Sequence, residues 1–317
     1  VGHGNCAVVR SQGQVAVIDA GSGSVLETHL MDESIRQVNL LFLSHADQDH
    51  VEGALGALVS DRFRIEDVYV NADALKTSAL WQDLLWQLDK AQLEGRTRVH
   101  IGLTPSSGPF SLGDVRLHVL GPSPYLCGTG VGGSHRDNGR RITSNTISAV
   151  IAVEHEGIRR VLLTGDVDDT GIHDLQRCGV ALETDVLVFP HHGGSSGGTS
   201  PRTLGSSLRE LTQARTTVFS TGRRSRWTNP DPEVISGIFD VSTEHHVVCT
   251  QMSRHCSDGT SKDSRHLLPI ISRGRVKDEC CAGSIVIPHK GGFQPYKGHR
   301  RFVQRSAKTA LCIGPRT

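Results

Sequence analysis

The segment that most constrains this chain is Ser44-His45-Ala46-Asp47-Gln48-Asp49-His50-Val51-Glu52-Gly53, which directly follows the apolar run NLLFL at 39–43. A short apolar run bounded by polar residues reads as a buried strand, and 52–59 reads as a helix. Four ligand-type side chains, His45, Asp47, Asp49 and His50, therefore lie within six residues where the chain leaves a sheet edge. Imidazoles and carboxylates at that density repel or compete if left unpaired, and a divalent cation resolves the conflict. An isolated pair would read as a polar loop with Asp49 as a helix cap. Four together behind a buried strand read as a metal motif.

The rest of the chain supplies a frame. Strands are expected at 7–9 and 15–18, joined by a turn at 11–13, and at 68–70, 98–101, 115–120, 148–153, 161–163, 186–189, 217–219, 247–249 and 284–287. Helices are expected at 74–93, where Trp81, Leu84, Leu85 and Leu88 share one face, and at 170–177 and 232–239. Alternation of this kind predicts two sheets covered by helices. The Gly-rich stretch 128–139 reads as a loop and the polar stretch 253–277 as a surface insertion. The 317 residues divide into a domain over 1–252 and an extension over 253–317, packed on the same domain.

Composition narrows the function classes. A net charge of +1 favours neither a dedicated nucleic-acid binder nor an acidic-substrate enzyme, though it permits a local basic patch. The 17 histidines exceed what a core needs and point weakly to metal chemistry. No apolar run reaches the roughly 18 residues of a membrane span. The opening VGHGNCAVVR shows no signal-peptide pattern and reads as the start of a strand. Eight scattered cysteines without a CxxC pair suggest a reduced, cytoplasmic protein. Cys256, Cys280 and Cys281 with His255 raise a small structural zinc site, against which free buried thiols are the simpler expectation.

HADQDHVEG resembles the HxHxDH signature of metallo-β-lactamase-fold hydrolases, in the HxDxDH variant of the soluble domain of the ComEC competence proteins. Further segments resemble that family in order: Val1-Gly2-His3-Gly4-Asn5-Cys6, Val17-Ile18-Asp19-Ala20-Gly21, Ser144-Asn145-Thr146-Ile147-Ser148, Leu163-Thr164-Gly165-Asp166 and Pro190-His191-His192-Gly193-Gly194-Ser195. The resemblance implies an αββα sandwich. It also implies that His45 and Asp47 serve one metal, Asp49 and His50 a second, and that Asp166 bridges both. One of His191 and His192 would complete the second site, leaving the other to face substrate. Asn145 would sit beside the first metal, and Asp19 would support a ligand from behind. Catalytic roles would fall to Asp49, Asp166 and His192.

Two cations sharing a water would lower its pKa and make a Ser or Cys nucleophile unnecessary. Neither a G-x-S-x-G elbow nor a P-loop is present. With Asp47 in place of a histidine, the oxygen-rich set fits Mn²⁺ as well as Zn²⁺, and Mg²⁺ remains open. The resemblance implies phosphodiester hydrolysis, with DNA as a candidate substrate. Basic residues at 136–141, 223–226 and 297–301 would meet phosphate or simply be solvated. Arg226 and Asn229 are candidate substrate contacts, Asn229 standing where the family carries a His. Two alternatives stand beside this reading. One is a small-molecule hydrolase, phosphorylcholine esterase-like or a lactonase, and the other a non-catalytic metal-binding regulatory module.

Overall fold

The computed structural model describes residues 2–60, 62–195, 197–223, 228–256, 261–290, 293–306 and 310–313. In the first half of the chain come β1 (Ala7–Ser11), β2 (Gln14–Ile18), α1 (Val25–Asp32), β3 (Gln37–Leu43), α2 (Gln48–Val59), β4 (Arg64–Val70), α3 (Ala79–Leu93) and β5 (Arg98–Ile101). These five strands form one sheet in the order β1-β2-β3-β4-β5. The β1–β2 pair is antiparallel and the others are parallel.

The second half supplies β6 (Phe110–Leu112), β7 (Val115–Gly121), α4 (Pro124–Thr129), β8 (Val150–His155), β9 (Ile158–Leu163), α5 (Asp169–Arg177), β10 (Val186–Val188), α6 (Pro201–Thr212), β11 (Thr216–Phe219), α7 (Pro232–Val241), β12 (His246–Cys249) and α8 (Tyr296–Ser306). Its strands form a sheet in the order β12-β11-β10-β9-β8-β7-β6. Pairing is antiparallel from β6 to β9 and parallel from β9 to β12.

Side-chain alternation explains the layers. Ala16, Ile18 and Phe42 of the first sheet meet Leu117, Ile151, Val153 and Leu163 of the second in one buried cluster between the sheets. The intervening residues Val15, Val17, Leu41 and Leu43 face Leu30, Val51, Ala54, Trp81 and Leu84 of α1–α3. On the far side Val150, Ala152, Leu162 and Leu187 face Leu175, Leu204, Leu208, Val234 and Ile238 of α5–α7. Both faces of the central strands are thus buried, which is why they read as unbroken apolar runs such as VAVI and LLFL. The result is the αββα sandwich. Cys281, Phe302 and Val303 join the outer cluster of the second sheet.

Several local features differ from the sequence expectations, among them the helices α1, α4, α6 and α8, which were not expected. Residues 284–287 form no sheet strand; Val286 makes an isolated bridge to Gln294. The helix expected from 74 begins at Ala79, because the buried Asp73 carboxylate accepts the Leu75 N–H and turns the chain first. Strand β6, three residues long, was not expected and pairs with β7.

Candidate metal centre

Strand ends place the chemistry. Asp19 follows β2, His45 to His50 follow β3, Asp166 follows β9, and His191 and His192 follow β10. These are carboxyl ends of parallel-paired strands, where open α/β sheets present their ligand sites. The sandwich therefore brings both sheets' loops to one edge.

The floor of the site is His45, His50 and Asp166, with His192 beside them. The side chains of His45 and His50 are fully buried, and those of Asp166 and His192 are 4% and 2% exposed. His50 Nε2 lies 3.2 Å from Asp166 Oδ1, and His192 Nε2 lies 3.7 Å from the same oxygen. His45 Nε2 is 3.9 Å from Asp166 Oδ2 and 3.7 Å from Asp47 Oδ2. His191 Nδ1 stands 3.2 Å from Asp166 Oδ2. Asp166 thus meets all four histidines. Yet His45 Nε2, His50 Nε2 and Asp166 Oδ1 are buried without a hydrogen-bond partner.

Supporting groups fix which nitrogen faces inward. His50 Nδ1 donates to Asp19 Oδ2 at 2.7 Å, leaving Nε2 toward the floor. The Ser44 hydroxyl donates to the same Asp19 oxygen at 2.9 Å. Its proton is then committed, so it accepts from His45 Nδ1 at 3.0 Å. One carboxylate thereby orients two imidazoles, as a supporting group behind metal ligands must. His192 Nδ1 donates to the Ser220 carbonyl at 2.7 Å, which turns its Nε2 inward. Asp19 itself sits at φ +57°, a left-handed conformation that Asp tolerates.

The His191-His192-Gly193 turn has three consecutive positive φ values, 52°, 55° and 83°. Only the glycine is cheap there, and a Cβ on Gly193 would stand 2.6 Å from the Phe219 ring and from Pro230. Two histidines held in this conformation mark a strained functional turn. Asn229 Nδ2 donates to the His191 carbonyl at 3.3 Å, so this residue braces the turn. Asn145 Nδ2 lies 3.4 Å from His191 Nδ1 and so joins the site. Arg226 lies outside the described residues.

Charges are strongly perturbed. Burial raises the Asp166 carboxyl, but the surrounding His50, His192 and His191 outweigh it and hold it well below the usual range. Burial likewise opposes charge on His50, but Asp166 and Asp19 drive it well above the usual imidazole range. Asp49 settles at about 2: burial raises it, and His192 and His50 outweigh that. At Asp47, burial is outweighed by His45 and Lys76, leaving the carboxyl below its ordinary range.

Two residues were missed by sequence reasoning. Lys76 Nζ contacts Asp47 Oδ1 at 2.5 Å, reaching across from the loop after β4. No local pattern marks that lysine; only the sheet order β3-β4 brings it near. His3 joins Asp49 and His192, with one donor atom from each within 4.8 Å of the others. A histidine between two glycines was the available signal. His45, His50 and Asp166 make the other such group among the described residues. His255 and the C-terminal cysteines make none; Cys281 Sγ instead contacts His299 Nε2 at 3.2 Å.

These orphaned, converging donors fit divalent cations. The chain belongs to the metallo-beta-lactamase superfamily, whose family model matches residues 1–212. Members of that superfamily are mostly metal-dependent hydrolases. Among curated proteins the chain is similar to ComE operon protein 3 of Bacillus subtilis (strain 168), 24% identical over 217 residues. That match covers 67% of this chain but only 23% of the relative, so the chain corresponds to about a quarter of that protein's length. Among solved structures it is similar to the metallo-beta-lactamase fold protein YhfI from Bacillus subtilis, with TM-score 0.47 and 13% identity over 79% of this chain and 90% of that one. It is also similar to Igni18, a metallo hydrolase from Ignicoccus hospitalis, with TM-score 0.44 and 15% identity over 78% and 92%. Among the described residues, no helix is long and apolar enough to cross a membrane.

Proposed function

We propose that this chain is a metal-dependent phosphodiesterase with DNA or another phosphodiester as substrate, using two divalent cations, Zn²⁺ or Mn²⁺, with Mg²⁺ as the third candidate. Residues 1–252 are the hydrolase unit in this reading, and 253–317 an extension packed upon it. The observation that carries the metal is the set of buried, unpartnered atoms at His45 Nε2, His50 Nε2 and Asp166 Oδ1. Leaving such atoms unsatisfied costs about 1–3 kcal/mol each, and bound cations would offset that cost.

One donor atom each of His45, His50 and Asp166 lies within 4.8 Å of the others, which supports giving His50 to the first cation with His45 and Asp47, with Asp49 and His192 holding the other and Asp166 shared. Bound there, the cations would supply Lewis acidity and a water of lowered pKa. The chain's own residues do the rest. Asp19 and the Ser220 carbonyl keep ring nitrogens aimed inward. Lys76 and Asn145 stand at the open side, where an anionic oxygen of the substrate would meet an ammonium and an amide. His191, 34% exposed and raised above the usual imidazole range by its hydrogen bond to Asp166, is the group placed to protonate the leaving oxygen. The phosphodiester class rests on the HxDxDH resemblance together with this rim.

The test is cleavage of labelled single- and double-stranded DNA with added Mn²⁺, wild type against Asp49→Ala. Cleavage that disappears in the variant supports the reading. Equal background in both rejects the nuclease form of it. Activity on bis-p-nitrophenyl phosphate alone would retain a small phosphodiester, whereas activity on lactones alone would favour the small-molecule alternative.

A further inference from the structure

We propose that His3 is a protein ligand of the second cation, completing with Asp49 and His192 a site of two imidazoles and one carboxylate. The inference rests on the two-cation reading above and adds a ligand to it.

The geometry points there from several sides. One donor atom each of His3, Asp49 and His192 lies within 4.8 Å of the others. The His3 and His192 rings approach to 4.2 Å between centroids, tilted by 48°. His3 Nδ1 is buried and has no hydrogen-bond partner. A simple ring contact would explain the centroid distance but would leave a polar nitrogen unsatisfied beside a carboxylate.

The backbone around His3 is clamped to the same machinery. Ser220 Oγ donates to the Gly4 carbonyl at 2.6 Å, and Ser220 also supplies the carbonyl that orients His192. The Asn5 N–H donates to the Asp49 carbonyl at 3.3 Å, and the Gly21 N–H to the Asn5 carbonyl at 2.8 Å. Gly222 leaves room for this segment, since a Cβ there would stand 2.4 Å from His3 N. The imidazole is therefore presented by a segment tied to the Asp49 turn and to the loops of Ser220 and Gly21, which carry the groups that orient His192 and His50.

The chemical consequence concerns metal choice. Without His3 the centre is rich in carboxylate, which suits Mn²⁺ or Mg²⁺. With His3, the rim half would hold two imidazoles beside Asp49 and the shared Asp166, a set richer in nitrogen that suits zinc. The rim site is thus expected to prefer Zn²⁺ and Co²⁺ over Mn²⁺.

The experiment is isothermal titration of the chelator-treated full chain with Zn²⁺ and with Co²⁺, following the Co²⁺ visible bands in parallel. Wild type, His3→Ala, His3→Gln and Asp49→Ala are compared. Wild type is expected to take up two equivalents. In both His3 variants one equivalent keeps wild-type affinity and the other weakens by at least about tenfold, with a loss of Co²⁺ band intensity for that equivalent. Melting curves of the metal-free proteins check folding, and His3→Gln serves if the alanine variant melts lower. If both equivalents bind His3→Gln within threefold of wild type while Asp49→Ala loses one, His3 is no ligand and the two-cation reading survives. If wild type itself takes up a single equivalent, the two-cation reading fails and this inference with it.

Discussion

His45, His50 and Asp166 sit on the floor of the centre, whereas His3, Asp49 and His192 form a group of which two members are only half-buried. The floor residues leave strand ends of both sheets and are oriented by a buried carboxylate, Asp19. The rim group draws on the segment before β1, the first turn of α2 and the turn after β10. Protonation tendencies diverge in step. Asp166 and Asp19 drive His50 well above the imidazole range, while burial and then the charge of His192 push His3 down to about 4. The floor is preorganised at a desolvation cost that a cation offsets. The rim is less buried at His3 and Asp49, and in the two-cation reading it would face substrate. A binuclear centre built this way would divide its labour, one half anchoring and the other choosing.

The largest expected effect belongs to the residue that serves both halves. Asp166→Ala should lower hydrolysis by on the order of 10³-fold or more and abolish both metal equivalents, as read by turnover and metal content. A variant that keeps one tight equivalent would show that the halves are independent. Next comes metal removal. At a hundredfold excess over Kd, cation binding contributes about 2.7 kcal/mol of stability, so chelation should lower the melting temperature, mostly through the floor. Asp19→Ala should weaken the floor equivalent by about 10–100-fold and leave the rim equivalent within twofold. Equal weakening of both would erase the distinction drawn above.

Acid sharpens the contrast between imidazoles with and without carboxylate partners. His299 is 1% exposed, and burial, then the charge of His246, holds it at about 3 in the folded chain. Its unfolded value is near 6.5. Below that pH the unfolded state takes up a proton that the folded state refuses, so stability falls as pH drops from about 6.5 toward 3. Unfolding free energies from denaturant titrations at pH 7.5 and pH 5 should differ by about 2 kcal/mol from this group, and His299→Phe should reduce the difference. Asn229→Ala is the smallest effect expected. Losing one brace on the His191 carbonyl should cost about 1 kcal/mol of stability and leave metal affinity unchanged.

Much of this was legible in the sequence, for physical reasons. Strands buried on both faces read as unbroken apolar runs, so β2, β3, β8 and β9 stood out, and the HxDxDH segment fell where β3 ends. The order of Asp166 and the His191-His192 pair behind it foretold convergence. Lys76 was invisible because its partner Asp47 lies 29 positions away and only strand order joins them. His3 escaped because a resemblance centred on glycines passes over the residue between them. Residues 284–287 are rich in Ile and Val but find no sheet edge, and they form only the bridge from Val286. Propensity marks a strand; a partner makes one. The difference between His191 and His192 also needed coordinates, since burial and the Ser220 carbonyl set apart two residues that the sequence leaves equal.

The most direct measurement is a crystal structure of the protein soaked with Zn²⁺ and, separately, Mn²⁺, with anomalous maps at each absorption edge. Two ions are expected in the zinc crystal, one among His45, His50 and Asp166 and one among His3, Asp49 and His192, at about 2.0–2.2 Å from the ligating atoms. In the manganese crystal, lower occupancy is expected at the rim than on the floor. A single peak in the zinc crystal, or none at these side chains, would contradict the two-cation reading.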